Sequence, residues 1–300
     1  MRFRTLPPML RAAFWMGGAL LSFTAMALSG RVLSAELTTF QILFFRSLVG
    51  LVVIGALAHR AGGAVLRTKA PVTHLVRNVA HFGGQYGWFY GIAHIPLAQV
   101  FAIEFTMPIW TALLAVPMLG ERLSRGRIVA VAMGFAGILI ILRPGAGSFS
   151  MAALAVLGAA VAYAVSHVFT KRLSATDSPL AILFHMTAIQ LPLGLLPALS
   201  NWKWPSAASW PWVAAVALGA LTAHYCLTRA LRLADATAVI PMDFLRLPLI
   251  ALVGYVFYHE PLEPAVILGA VVVFAATWVN LRSSSGAPAV RTAPAHPASR

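Results

Sequence analysis

The chain has 300 residues, of which 60% are hydrophobic and only 10% are charged. Ordinary soluble domains carry about 25% charged residues, so this composition excludes a protein of that class. The formal net charge of +14 would suit nucleic acid, but the basic residues concentrate in alternate loops between apolar segments, a pattern that orients membrane proteins. We therefore expect a lipid bilayer around the protein and no nucleic-acid partner.

Ten apolar segments follow one another along the chain, and each is close to the roughly 20 residues that cross a hydrocarbon core. They cover residues 12–30, 37–58, 70–92, 96–118, 126–143, 149–170, 179–199, 210–231, 238–258 and 264–281. Because the connections between them are short, almost no residues remain for a soluble domain. The sequence thus predicts an all-α integral membrane protein with ten transmembrane helices.

The first segment also resembles a secretory signal peptide, because Arg2 and Arg4 precede it and Ala25-Met26-Ala27 resembles a cleavage site. However, Phe23 in this segment matches Tyr163 in the second half at a spacing of 140 residues. Cleavage would remove a helix whose counterpart is retained. We therefore expect the first segment to remain as a transmembrane helix.

The chain repeats short motifs at a spacing of 139 or 140 residues. Ile42-Leu43-Phe44 recurs as Ile182-Leu183-Phe184, and Glu104-Phe105 recurs as Asp243-Phe244. Each half then holds five apolar segments, and five is an odd number. The second half would therefore insert upside down relative to the first, as in transporters that are built from inverted repeats.

The basic residues predict that both termini are cytoplasmic. With the N-terminus inside, the outer loops hold only Arg31, Arg143 and Lys203, and most other loop cations are cytoplasmic. We expect two inverted five-helix repeats, over residues 1–145 and 146–282. Residues 283–300 are rich in Ser, Ala and Pro, which predicts a disordered cytoplasmic tail.

Six arginine or acidic residues lie in the interior of the apolar segments, where a charge costs about 2.5–3.5 kcal/mol unless it is paired or faces water. They are Arg46, Arg77, Glu104, Arg229, Asp243 and Arg246. Asp243 and Arg246 are three residues apart and can pair within one helix. Glu104 has no cation within its own helix, so we expect it to pair with Arg46 or Arg77 across the bundle, or to be protonated.

A proline follows each of the two acids within a few residues. Pro108 follows Glu104, and Pro248 follows Asp243. A proline inside a transmembrane helix frees a backbone carbonyl and bends the helix. We expect both helices to be bent beside the acids.

The third segment carries a polar face and a face of small residues. The polar face follows helical spacing and comprises His74, Arg77, His81, Gln85 and Trp88. The small face comprises Gly83, Gly87 and Gly91, a pattern that lets another helix approach closely. The polar face either lines a pathway or forms hydrogen bonds to neighbouring helices, and the sequence leaves both interpretations open.

The eighth segment is the repeat partner of the third, because Gln85-Tyr86 matches His224-Tyr225 at a spacing of 139. Tyr225 and Arg229 are four residues apart and share a helix face. Tyr225 could stack on a ring or donate a hydrogen bond. Arg229 lies near the predicted cytoplasmic end, so it either joins the pathway or extends to the membrane interface.

Together these residues predict a site for a small organic substrate. The predicted substrate-binding or pathway residues are Arg46, Arg77, His81, Gln85, Tyr225, Arg229 and Arg246, and the predicted ion-pairing or coupling residues are Glu104 and Asp243. Four cations against two acids favour an anionic or zwitterionic substrate. We expect no metal and no cofactor, because Cys226 is the only cysteine and the acids are scattered.

Several short motifs carry a family resemblance. They are Phe44-Phe45-Arg46, Ile95-Pro96-Leu97-Ala98, Leu119-Gly120-Glu121-Arg122, Gly134-Phe135-Ala136-Gly137 and, in the second half, His259-Glu260-Pro261. In this order and spacing they resemble the EamA family of the drug/metabolite transporter superfamily. The chain departs from its own pattern at His259, where the first half has Gly120. Glu121 and Glu260 lie at segment ends, and we interpret them as loop anchors.

The resemblance implies a secondary transporter with ten helices in inverted repeats, which works by alternating access in a bacterial inner membrane. The Phe-Phe-Arg motif resembles that of members that take up S-adenosylmethionine-like metabolites. Two alternatives are a multidrug or metabolite efflux carrier of the same fold and, with less support, an integral-membrane enzyme. Against an enzyme, the sequence has no His-Glu-x-x-His motif, and the acids are scattered. Whether the chain acts alone or as a homodimer stays open.

Overall fold

The computed structural model describes residues 7–119, 125–143, 150–173, 176–231, 233, 242–243 and 245–284. Within these residues the regular structure is helical, with no strand. The residues 285–300, which form most of the predicted tail, lie outside the described part of the chain, as do Glu121 and Phe244.

The helices follow the apolar segments. The described part of the first half forms α1 (Pro8–Leu33), α2 (Thr39–Ala61), α3 (Pro71–His94), α4 (Leu97–Glu104), α5 (Met107–Leu119) and α6 (Arg125–Leu142). The described part of the second half forms α7 (Met151–Leu173), α8 (Pro179–Ala198), α9 (Trp210–Leu231), α10 (Arg246–Tyr258) and α11 (Pro264–Ser284). The fourth apolar segment therefore forms two helices, α4 and α5, where the sequence predicts one bent helix.

Five of the described helices are long and apolar enough to cross a membrane. Their spans are Leu10–Leu33, Thr39–Ala61, Met151–Thr170, Pro179–Asn201 and Trp210–Leu227. Three shorter apolar helices, at Ile128–Leu142, Arg246–Tyr258 and Pro264–Val279, accompany them. Helix α3 has 24 residues, but its polar face lowers its hydropathy. These spans identify a multi-pass membrane protein.

Equivalent residues begin the second helix of each half. Thr38 forms a capping box with Gln41, in which each side chain bonds the other residue's backbone N–H at the start of α2. Ser178, 140 positions later, accepts a hydrogen bond from Ala181 N at 3.0 Å at the start of α8. Ser178 Oγ also donates to Val65 O at 2.9 Å, so this cap ties the two halves together.

The helices of the two halves pack in pairs. The largest contacts join α1 to α9, α3 to α7, α2 to α8 and α6 to α11. In every pair one helix comes from each half. The first helix of one half packs on the third helix of the other, so neither half forms a bundle by itself.

The contact between α3 and α7 depends on three glycines of α3. A Cβ atom at Gly87 would lie 2.4 Å from Ala155 O, and one at Gly91 would lie 2.1 Å from a methyl carbon of Val156. Gly84 leaves room for the Tyr163 ring in the same way, at 2.8 Å. The predicted small face is therefore confirmed at Gly87 and Gly91.

The prediction was wrong at Gly83, because nothing lies within 4 Å of a Cβ placed there. The packing face instead runs through Gly84, Gly87 and Gly91, at spacings of three and four. A face at these spacings follows the 3.6-residue turn of the helix more closely than one at a strict spacing of four does.

Helix α10 ends at Tyr258, and the backbone of the following residue, His259, is left-handed with φ of +53° and ψ of 31°. This conformation is common where helices stop. The next residue, Glu260, turns back and accepts a hydrogen bond from Leu97 N at 2.7 Å. Its Oε1 atom also lies 3.0 Å from Arg31 Nη2. Glu260 is thus a loop anchor, as predicted.

We expect Gly87→Ala to destabilise the protein by about 1–3 kcal/mol, because the added methyl group meets backbone atoms of α7. Thermal unfolding in detergent would measure the loss. Gly83→Ala is the matched control on the same helix, and it should be neutral or slightly stabilising. Equal unfolding temperatures for the two variants would contradict the packing described here.

Candidate functional site

Both halves contain a broken helix, and the two breaks place charged residues at helix ends. Helix α4 ends at Glu104 and α5 begins at Met107. In the second half Asp243 is helical, Leu245 lies in a turn, and α10 begins at Arg246. Interrupted helices inside a membrane are tolerated where the irregular backbone is enclosed by protein or lines a cavity.

Arg246 joins the two breaks. Its Nη2 atom donates to Glu104 Oε1 at 3.2 Å and to Asp243 Oδ2 at 3.1 Å, and its side chain is only 4% exposed. The guanidinium carbon also lies 4.8–5.2 Å from the ring centres of three aromatic residues, namely Phe23, Phe101 and Phe105. The cation is therefore held by two carboxylates and enclosed by rings, which favour it over their faces.

The predicted pair between Asp243 and Arg246 is confirmed by these distances. The predicted partner of Glu104 was wrong, because Arg246 takes the place expected for Arg46 or Arg77. Glu104 also accepts a hydrogen bond from Trp88 Nε1, at 2.7 Å from Oε2. Trp88 therefore contributes a polar contact as well as an apolar surface.

A central cavity of about 180 Å³ lies beside this ion pair. Its wall draws on α1, α2, α3, α4, α5, α7, α9 and α10. The charged, polar or ring-nitrogen side chains that line it are Arg46, His81, Gln85, Trp88, Glu104, Tyr163, His167, His224, Asp243 and Arg246. A water-filled space with this lining is the expected environment for charges inside a membrane.

Six of the nine predicted site residues line this cavity. They are Arg46, His81, Gln85, Glu104, Asp243 and Arg246. Arg77 is buried nearby, but its Nε donates to Thr170 Oγ1 at 3.1 Å and its Nη1 to Asn78 Oδ1 at 2.6 Å. It therefore ties α3 to α7, which corresponds to the helix-bonding interpretation that the sequence left open.

Tyr225 and Arg229 lie elsewhere. Tyr225 is 55% exposed, and the Arg229 guanidinium stands 5.2 Å from the Trp15 ring and 5.9 Å from the Tyr225 ring. The neighbouring residue His224 lines the cavity instead. Adjacent residues on a helix point about 100° apart, so the inward position is one residue earlier than the sequence suggested.

Tyr163, His167 and His224 were missed by the prediction, although the repeat contains a signal for two of them. The cavity contains residues from five repeat-related pairs, separated by 140 positions for the first pair and 139 for the others: Phe23 and Tyr163, Gln85 and His224, Trp88 and Leu227, Glu104 and Asp243, and Met107 and Arg246. Both members of each pair line the cavity. Each half therefore presents the same helix positions to a shared centre.

Four buried polar atoms of the cavity residues have no hydrogen-bond partner in the described protein. They are Arg46 Nε, Arg246 Nε, Gln85 Oε1 and Asp243 Oδ1. The two arginine atoms are donors, and the other two atoms are acceptors. Burial without a partner is costly, so these atoms are suited to bind water or a polar ligand.

A larger apolar groove of about 560 Å³ lies between α4, α10 and α11. Its lining is almost entirely apolar, with Glu263 as the ionisable exception. Glu263 is already paired with Arg143, at 2.6 Å. The groove therefore lacks the unpartnered polar atoms of the central cavity, and the central cavity is the better candidate for a polar ligand.

At one end of the bundle, Glu36 ties the two halves. It accepts hydrogen bonds from Ser206 N at 2.6 Å and from Ser209 Oγ. These bonds, with Ser209 as the largest cause, lower the pKa of the Glu36 carboxyl. Nearby, Arg31 Nη2 donates to Ile95 O at 2.6 Å, just after the last residue of α3.

Asp177 forms the corresponding tie at the other end. Its Oδ2 lies 2.7 Å from Nε2 of the fully buried His74, in the first turn of α3, about 32 Å along that helix from Ile95. Burial alone raises the pKa of Asp177, but hydrogen bonds from His74, Thr68 and Thr176 outweigh it and lower the pKa. Contacts between the halves thus join both ends of the bundle.

We expect Arg246→Met to destabilise the protein by about 3 kcal/mol, because it leaves two partly buried carboxylates without their cation. Unfolding in detergent would measure this loss. Adding Glu104→Gln should restore part of it by removing one uncompensated charge. Arg229→Met, outside the cavity, is the control, and an Arg246→Met variant as stable as this control would contradict the role of the ion pair.

Comparison with known proteins agrees with this arrangement. The profile of the EamA-like transporter family matches residues 10–143 and again residues 150–282. The chain is 27% identical to an S-adenosylmethionine uptake transporter of Rickettsia bellii, over 88% of this chain and 90% of that protein. It is 33% identical to a riboflavin transporter of Rhizobium johnstonii, over 75% of this chain and 74% of that protein.

A crystal structure with 20% sequence identity shares the fold, with a TM-score of 0.62 over 89% of this chain and 95% of that one. The resemblance found in the short motifs is thus confirmed by two consecutive profile matches that cover nearly all of the chain outside the tail. The chain belongs to the EamA-like transporter family.

Proposed function

We propose that this protein is a secondary transporter that carries a small zwitterionic metabolite across a bacterial inner membrane by alternating access. The observation that carries the proposal is the central cavity, in which an unpartnered donor of Arg46 and an unpartnered acceptor of Asp243 belong to the same wall. The sequence has no Walker motif, which favours a gradient or exchange over direct use of ATP.

The charge balance of the cavity supports a zwitterion. Arg246 is already paired with Glu104 and Asp243, so these three residues together carry one negative charge when ionised. Arg46 adds one positive charge and is only 6% exposed. A ligand that brings a carboxylate to Arg46 and a cationic group to Asp243 would compensate both charges. A planar guanidinium is well suited to hold a carboxylate by two parallel hydrogen bonds.

The compounds named for the two relatives differ in charge, and this difference indicates which of the two compounds suits the cavity better. S-adenosylmethionine has a carboxylate, an ammonium and a sulfonium group, whereas riboflavin has no formal charge at neutral pH. The buried charges around the cavity favour a compound of the first kind. We therefore propose an amino-acid-like metabolite of the S-adenosylmethionine type as the substrate class.

Alternating access is supported by the size of the cavity and by the contacts between the halves at both ends of the bundle. Pockets for organic ligands commonly measure about 300–1,000 Å³. The volume of about 180 Å³ is smaller, so the substrate-bound state must be wider. Release of the Glu36 tie or of the Asp177 tie would open one end while the other stays closed. Such motion of one half against the other is typical of carriers with a site between repeats.

We further propose ten spans in two inverted repeats, with both termini in the cytoplasm. The support comes from equivalent loops. Glu36 follows α1 and Asp177 follows the equivalent helix α7, yet they lie at opposite ends of α3. The inverted repeat also explains why α1 packs on α9 while α3 packs on α7, because the first helix of each half then meets the third helix of the other. The distribution of basic residues favours an outside location for the Glu36 end.

We expect Arg46→Lys to weaken binding of S-adenosylmethionine about tenfold, because a lysine cannot reproduce the planar pair of donors. Saturable uptake into cells, with expression measured in parallel, would report the change. Decarboxylated S-adenosylmethionine lacks the anionic group, so its competition should differ little between the wild type and the variant. Arg229→Lys is the control outside the cavity.

Two outcomes of this experiment would count against the proposal. Full uptake by Arg46→Lys would remove Arg46 from substrate recognition. Saturable uptake of riboflavin without any uptake of S-adenosylmethionine would reject the zwitterionic class while leaving a transporter.

The topology predicts the labelling of two engineered cysteines. After replacement of the native thiol by Cys226→Ala, a membrane-impermeant maleimide applied to intact cells should modify Lys203→Cys and spare Arg67→Cys. Both positions are exposed on the protein, so access across the membrane decides the result. Permeabilised cells, in which both should react, provide the control. Labelling of Arg67→Cys from outside would reject the proposed orientation.

A further inference from the structure

His81 lines the cavity, and a residue behind the cavity wall contacts its ring. Gln190 of α8 is 1% exposed and does not line the cavity, and its Nε2 atom lies 2.9 Å from His81 Nδ1. The same Nε2 atom lies 3.4 Å from the backbone oxygen of Asn78. Gln190 therefore bridges a carbonyl of α3 and an imidazole of α3 from a neighbouring helix.

These two contacts together determine which ring nitrogen of His81 carries the proton. A backbone carbonyl only accepts, so the Gln190 amide must present its nitrogen to Asn78 O. The amide nitrogen has two hydrogens, one for Asn78 O and one for His81 Nδ1. His81 Nδ1 must then be an unprotonated acceptor, and a neutral imidazole with that pattern carries its proton on Nε2.

The opposite nitrogen of the ring, Nε2, belongs to a residue that lines the cavity. Within the described residues it has no hydrogen-bond partner, and protein does not fully bury it. The Tyr163 ring, at 5.5 Å and 52° from the imidazole, and Arg46 lie in the same wall. An N–H group at this position would add a neutral donor beside the Arg46 guanidinium.

We propose that Gln190 is a positioning residue, which holds His81 as a neutral Nε2–H donor for an acceptor group of the substrate. The inference rests on the proposed function and names a further determinant of specificity at the same site. His81 then favours ligands whose carboxylate or carbonyl oxygen reaches past Arg46. A ligand that offered only a hydrogen-bond donor at this position would face the Nε2–H donor of His81, so it would be disfavoured.

The groups around His81 are consistent with a neutral ring. The titratable or charged groups that act on it are Arg77 on its own helix, Arg46 on α2, Tyr163 and His167 on α7, and His224 on α9. None of these is a carboxylate. An imidazolium would also direct an N–H group at the Gln190 amide, which already donates there.

The tautomer can be observed without any substrate. Nitrogen-15 spectra of histidine-labelled protein distinguish the Nε2–H tautomer, the Nδ1–H tautomer and the imidazolium, and the signals lost in His81→Gln assign His81. We expect the Nε2–H tautomer in the wild type at neutral pH. In Gln190→Glu the carboxylate accepts from Nδ1, so His81 should become the Nδ1–H tautomer or the imidazolium. An Nδ1–H tautomer or an imidazolium in the wild type would overturn the proposal.

Binding of S-adenosylmethionine tests the consequence. We expect Gln190→Glu and Gln190→Met each to raise the KM for uptake about tenfold, because the donor is removed or no longer positioned. Only Gln190→Glu should add a dependence on pH across the neutral range. Gln99→Glu, on α4 and outside the cavity, is the matched control for a new carboxylate. His81→Gln keeps an amide donor and should retain most of the affinity that His81→Leu loses.

The outcomes separate this inference from the proposed function. Wild-type protein with the Nε2–H tautomer but no uptake of S-adenosylmethionine would reject the proposed substrate and leave the tautomer established. If Gln190→Met and His81→Leu both take up S-adenosylmethionine as the wild type does, the role of His81 is rejected and the proposed transport function is unaffected. If Gln190→Glu fails to fold, the KM values of Gln190→Met and His81→Gln test the proposal instead. The KM of Gln190→Met should rise about tenfold, whereas that of His81→Gln should stay close to the wild-type value.

Discussion

The need to compensate buried charge in a low-dielectric medium governs the centre of this protein. Arg246 is buried between Glu104 and Asp243, and an isolated ion at such a depth would cost several kcal/mol. The three residues come from two interrupted helices, one in each half. Pairing them requires that both interruptions meet, and this meeting places the cavity where the two halves join. The ion pair and the cavity are therefore two results of one constraint.

The aromatic rings around Arg246 extend this constraint to a third helix. Phe23 comes from α1, while Phe101 and Phe105 come from α4 and the turn after it. Rings replace the solvation that water would otherwise give the cation, and their faces attract it. Arg246 forms ion pairs with two carboxylates, whereas Arg46 forms no ion pair with a carboxylate within the described residues. This difference supports a structural role for Arg246 and the ligand-binding role proposed for Arg46.

Much of the fold could be predicted from the sequence because local patterns carry it. Apolar segments of the right length predicted most helix bounds within a few residues, and Asp243 with Arg246 was predicted because three residues separate them. The partner of Glu104 could not be found in this way, since Arg246 is 142 positions away and two other arginines were equally eligible. The location of Tyr225 outside the cavity could not be predicted for a similar reason. Periodicity predicts a helix face, but only packing against α1 decides that His224 points inward.

The repeat-related pairs of the cavity have a consequence for how a ligand can be oriented. If both members of every pair were identical, the pocket would have a twofold axis, and an asymmetric molecule could enter in two equivalent poses. Here Phe23 corresponds to Tyr163, Gln85 to His224 and Met107 to Arg246. Each unlike pair makes the two poses unequal in energy. The sequence differences between the two halves therefore turn a symmetric pocket into one that distinguishes the two ends of a bound ligand.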